Sequence, residues 1–164
     1  MSTTFPEADD LRELYRELII DHAKSPRHFG RIEEATHCAE GINPLCGDKL
    51  KLYFTVDEQD RICDARFEGS GCAISVASAS LLTETVIGLE TERALNFFAA
   101  MVNRLSGRPD EQPQNSEQVD EIDLGKLRAL EGVKDYPSRV KCATLAWHAL
   151  NSALRQNHKP ATTE

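Results

Sequence analysis

The sequence has no apolar run of membrane-spanning length, no excess of positive charge, no internal repeat and no even complement of cysteines. Each absence excludes something. A transmembrane helix needs about 20 mostly apolar residues, so a membrane is not an expected partner. The net charge of −8 offers no counter-charge to a phosphate backbone, which argues against nucleic acid and anionic lipid surfaces. The opening "MSTTFPEADD" has neither the basic region nor the apolar segment of a secretory signal. The expected location is cytoplasmic. Thiols stay reduced there, and five cysteines read better as free thiols than as a disulfide framework.

What is present suits one ordinary domain of 164 residues with a real core. Residues 10–24 repeat Leu11, Leu14, Leu18 and Ile19 at helical steps, with Asp9 or Asp10 able to cap the start. Ser25-Pro26 ends that helix. "KLKLYFTV" alternates, Leu50, Leu52, Phe54 and Val56 against Lys49, Lys51, Tyr53 and Thr55. After the turn "DEQD", "RICDARFEG" alternates again, with Cys63, Ala65 and Phe67 on the covered face. Two strands of an antiparallel hairpin follow, and a third strand is expected within 35–42. The period then changes. Helices are expected from Cys72 to near Gly88 and from Thr91 to Leu105, the latter with Leu95, Phe98, Ala99 and Val102 as its stripe. Residues 107–121, "GRPDEQPQNSEQVDE", form an acidic surface loop insertion rather than a linker. "DLGKLRAL" is a short helix closed by Gly132. A last helix runs from Pro137 to about Asn157, and residues 159–164 make a flexible tail. Strands first and helices later favour an α+β domain, a small antiparallel three-stranded sheet with helices on one face.

Three cysteines fall at element boundaries. Cys46 lies in the turn "NPLCGD" before a strand, Cys72 opens a helix after "GSG", and Cys142 lies near the start of the last helix. A thiol at a helix N-terminus meets the positive end of the macrodipole, which favours the thiolate. Gly47 lets Cys46 and Asp48 face one centre. Three thiolates and a carboxylate suit tetrahedral zinc, and they also suit an iron–sulfur centre. Equally, free cysteines are often small buried hydrophobes, and the spacing is unlike the tight pairs of zinc fingers. Cys63 is expected in the core. Cys38 follows His37, but neighbours in a strand point to opposite faces and could not easily share a metal. His22, His28, His148 and His158 show no ligand spacing.

The blocks "NPLCGD", "GSGCAIS" and "RVKCATLAW" resemble the signatures of the IscU-like iron–sulfur assembly proteins, more closely those of the SufU branch. The resemblance runs from the first helix to Trp147. Lys141 stands where IscU-type members carry histidine, and "KDYPSRVKC" lacks their proline-valine-lysine chaperone motif. Both departures point to the SufU branch, and the acidic insertion is similar to its pattern. The resemblance implies zinc on Cys46, Asp48, Cys72 and Cys142. It implies a partner, a SufS-type cysteine desulfurase, whose histidine takes over one zinc position and frees Cys46 to accept persulfide sulfur. It also implies a downstream iron–sulfur scaffold complex. Arg139 matches a family arginine three residues before the last cysteine, a spacing that places both on one helical face. There it could steady the thiolates or dock the partner, or it could be an ordinary surface arginine. The main alternative is a scaffold on which an iron–sulfur cluster is built; a purely structural zinc domain is disfavoured, because the ligands sit on loops and helix starts.

Overall fold

Alternation of apolar and polar side chains decides which side of a sheet is covered. In the computed structural model, which describes residues 8–44, 47–106, 125–133, 136–155 and 161–162, the alternating run forms the central strand β2 (Asp48–Val56). It pairs antiparallel with β1 (His37–Asn43) on one side and β3 (Ile62–Ser70) on the other. Leu50, Leu52 and Phe54 join Ala39, Ile62, Ala65 and Phe67 in the core. The α+β architecture with a three-stranded antiparallel sheet is as expected. A two-residue strand, β4 (Ala161–Thr162), adds parallel to β1 at Gly41 and Ile42. It lies inside the segment expected to be a flexible tail.

Cys63 departs from expectation. It is exposed, not part of the core. Thr55 lies opposite Asp64 but Val56 lies opposite Ile62, so Cys63 is the extra residue of a bulge in β3. The bulge turns Ile62 inward to full burial and rotates the thiol towards the preceding turn. There it sits 3.7 Å from Asp57 Oδ2. Partial desolvation and the Asp57 charge push its pKa up.

Among the described residues the helical elements are α1 (Ala8–Lys24), α2 (Ala73–Val86), α3 (Thr91–Ser106), a 3₁₀ helix (Gly125–Val133) and α4 (Pro137–Leu154). Helix α1 starts at Ala8, so Asp9 and Asp10 lie inside it rather than at its cap. Helix α4 packs across β1 and β2 and touches α2 and α3. It is central, and every residue from Cys142 to Trp147 is buried. Helix α2 lies between α4 and α1, where its small residues permit close approach. Ser78 Oγ donates to the Ala143 carbonyl at 2.5 Å, and Ser80 Oγ meets His22 Nδ1 at 2.7 Å. In α3 the buried stripe is Ala94, Phe97, Ala100, Met101 and Leu105. The expected set of Leu95, Phe98, Ala99 and Val102 is only half-buried. The apolar arc of α3 is wide, and helical periodicity admits either edge of it. The short element continues through Gly132 as a 3₁₀ helix instead of closing before it. The acidic insertion 107–121 lies outside the described residues. Among the described residues no helix is long and apolar enough to cross a membrane.

Candidate metal centre

The ends of three elements meet at one edge of the sheet. Asn43 closes β1 and is the cross-strand partner of Asp48, which opens β2. Residues 44–47 join them. Gly47 has φ +71, a left-handed conformation that glycine adopts without strain. Strand β3 ends at Ser70, paired with Lys49, and the chain passes through Gly71 to Cys72, the N-cap of α2. Helix α4 starts at Pro137, a residue suited to a first helical turn, and buries Cys142 completely.

Ligand atoms of Asp48, Cys72 and Cys142 lie within 4.8 Å of one another. Asp48 is 1% exposed, and Cys72 is half-buried. The Asp48 carboxylate is held at both oxygens. Oδ1 accepts the Cys72 backbone N–H at 2.8 Å, and Oδ2 accepts from Ser75 Oγ at 2.6 Å. Cys72 makes no side-chain cap bond to its own helix, so a carboxylate from β2 takes that part. An anion there is favoured by the helix dipole. Ser75 Oγ also lies 3.5 Å from Cys72 Sγ. The fit depends on Gly71, where an added Cβ would sit 3.0 Å from Asp48 Oδ1 and 3.2 Å from Ser75 Cβ.

A buried carboxylate beside two sulfurs calls for positive charge. Among the described residues no lysine, arginine or histidine forms an ion pair with Asp48. A divalent metal would supply that charge. Zinc takes thiolate sulfur at about 2.3 Å and carboxylate oxygen at about 2.0–2.2 Å, and the donor set fits it.

Of the residues expected at the site, Asp48, Cys72 and Cys142 come together. Cys46 lies outside the described residues. Arg139 is exposed in the first turn of α4, three residues before Cys142. Cys38 and Cys63 are exposed and not part of the group, and His37 Nδ1 meets Thr36 Oγ1 at 2.8 Å. The other described histidines have partners elsewhere: buried His22 on Ser80, exposed His28 on Thr83 at 3.2 Å, and half-buried His148 edge-on to Phe98. Burial lowers the pKa of His22 and His148. Sequence reasoning passed over Ser75 and Asn43. Asn43 is fully buried, and its Nδ2 donates to Cys142 Sγ at 3.7 Å. Both residues sit within or beside the cysteine blocks, and that nearness was the one available signal.

Residues 14–143 match the model of the NifU-like N-terminal domain. The chain belongs to that family. It is 40% identical over 145 residues to the zinc-dependent sulfurtransferase SufU of Bacillus subtilis, covering 88% of this chain and 92% of that one. It is 39% identical over 150 residues to the iron–sulfur cluster assembly scaffold protein IscU of Streptococcus pyogenes, covering 90% and 86%. Among solved structures, the SUF-system protein FiSufU of Fervidobacterium islandicum matches with a TM-score of 0.72 at 38% identity, covering 87% of this chain and 98% of that one. The resemblance carried by the three cysteine blocks agrees with this family. Overall identity does not separate a sulfurtransferase from a scaffold, so the site residues must.

Proposed function

We propose that this protein carries sulfur in iron–sulfur cluster assembly, using zinc held by Asp48, Cys72, Cys142 and Cys46. The observation that carries the reading is the Asp48–Cys72–Cys142 group, with Asp48 and Cys142 buried, Cys72 half-buried and the carboxylate hydrogen-bonded at both oxygens. Zinc supplies positive charge that keeps the sulfurs as thiolates at neutral pH. Cys72 and Cys142 belong to helix starts, whereas Cys46 belongs to the connection between Asn43 and Asp48 and is the ligand suited to release. The Cys46 thiolate would attack the outer sulfur of a persulfide on a SufS-type cysteine desulfurase. The S–S bond breaks, the desulfurase thiolate leaves with its electron pair, and Cys46 keeps the sulfur as a persulfide. A downstream iron–sulfur scaffold complex receives it. The exposure of Arg139, in the first turn of α4, supports a docking role over one on the thiolates.

The second reading, a cluster scaffold, is supported by the scaffold named among the relatives. Lys141 favours the first, because the position before Cys142 offers no imidazole. The test mixes the protein with its desulfurase, cysteine and pyridoxal phosphate, then traps and maps thiols by mass spectrometry. The expected result is added sulfur on Cys46 and no desulfurase stimulation by Cys46→Ala. Persulfide mainly on Cys142, or full stimulation by Cys46→Ala, overturns the mechanism. Iron with matching sulfide in a brown preparation moves the case to the scaffold.

A further inference from the structure

Asn43 and Cys142 are 99 positions apart in the chain, yet the Asn43 side-chain amide points its Nδ2 at Cys142 Sγ, 3.7 Å away. Both residues are fully buried. The other end of the amide, Oδ1, is buried with no hydrogen-bond partner among the described residues. A buried carbonyl oxygen without a donor is unfavourable, and native proteins rarely keep one without a reason. The nitrogen end is committed to sulfur, and sulfur that accepts an N–H is favoured as the charged, metal-binding thiolate. Backbone pairing reinforces the placement: Asn43 is the register partner of Asp48, so one residue lies beside Asp48 in the sheet and reaches the α4 sulfur through its side chain.

We propose that Asn43 is a positioning residue that holds Cys142 as the permanent metal ligand, leaving exchange to Cys46. The proposal rests on the zinc reading above and adds an asymmetry to it. Cys142 receives an amide N–H from a neighbouring strand, while Cys72 faces the hydroxyl of Ser75 within its own helix. An amide N–H donated to a ligating sulfur orients it and draws charge from it, an effect of the kind that tunes metal sites from just outside the ligand set.

Asn43→Leu separates this from a structural role. Leucine matches the amide in size, removes the donor and also removes the unpartnered carbonyl. Three measurements are made on the full chain: zinc affinity by chelator competition, the sulfur-to-cobalt charge-transfer band of cobalt(II)-loaded protein, and the urea midpoint of metal-free protein. The expected result for Asn43→Leu is zinc binding weakened by about 10- to 100-fold, a displaced cobalt band, and a metal-free midpoint no lower than wild type. Asn43→Ala should show the same change at the metal with a lowered midpoint, and it decides the matter if the leucine variant fails to fold. Zinc affinity and cobalt band indistinguishable from wild type in the folded variants overturn the proposal. If wild-type protein takes up no zinc, the metal reading falls and this inference with it. If wild type binds zinc and the variants bind equally, only this inference falls.

Discussion

The Cys72 backbone N–H donates to Asp48 Oδ1 at 2.8 Å, so the first residue of β2 caps the start of α2. This bond ties the sheet to the helix at the point where two donors must converge. A carboxylate that must satisfy a helix end cannot swing freely, so it stays within 4.8 Å of the two sulfurs. A change that disturbs the cap should therefore also disturb metal binding.

Cys72→Ser and Cys142→Ser should lose zinc, and Cys38→Ser and Cys63→Ala should keep it, because the latter pair is exposed and lies outside the group. Structural zinc is worth on the order of 10 kcal/mol in small finger domains, and the core here should soften the loss. Elemental analysis and melting curves with and without chelator check this. A melting temperature unmoved by chelation would mean that the metal does not tie the elements together.

Ser75→Ala removes the 2.6 Å hydrogen bond to Asp48 Oδ2 at a fully buried position. Leaving a buried acceptor unmatched costs about 1–3 kcal/mol. The expected outcome is a lower urea midpoint together with faster zinc transfer to a chelator. Unchanged transfer would show that Oδ1 alone holds the carboxylate.

Gly71→Ala places a methyl group 3.0 Å from Asp48 Oδ1 and 3.2 Å from Ser75 Cβ. The carboxylate has to give way. The circular dichroism spectrum should stay native while zinc affinity falls, and wild-type affinity in this variant would sink the claim that Gly71 makes room for Asp48.

His22 gives stability a pH dependence of definite sign. Burial, with Arg27 nearby, holds its folded pKa below the ordinary value of 6.5. The unfolded chain therefore binds the proton more readily. The stability tied to neutral His22 is present above about pH 6.5 and is lost as pH falls from there through the depressed folded value. Urea midpoints at neutral and mildly acidic pH should converge more in His22→Gln than in wild type. An equal drop in both would place the acid sensitivity elsewhere.

The amino-acid order by itself determined the hairpin and the family, and it singled out Asp48, Cys72 and Cys142, whose ligand atoms the fold brings together. Those features rest on signals local in sequence: two-residue alternation in 48–56, helical steps in 10–24, and cysteines set beside glycines at element boundaries. Only the tertiary structure decided what depends on non-local neighbours. Cys63 belongs to an alternating run, but a bulge against Thr55 and Val56 moved it from core to surface. Helix α4 has no single apolar face because partners surround it. Ser75 and Asn43 carry no metal-binding signal of their own; each hydrogen-bonds a candidate ligand on another element, Ser75 to Asp48 and Asn43 to Cys142. Hydrogen bonds of that kind leave no periodicity in the chain, because their partners are set by how β1, β2, α2 and α4 converge rather than by the residues beside them.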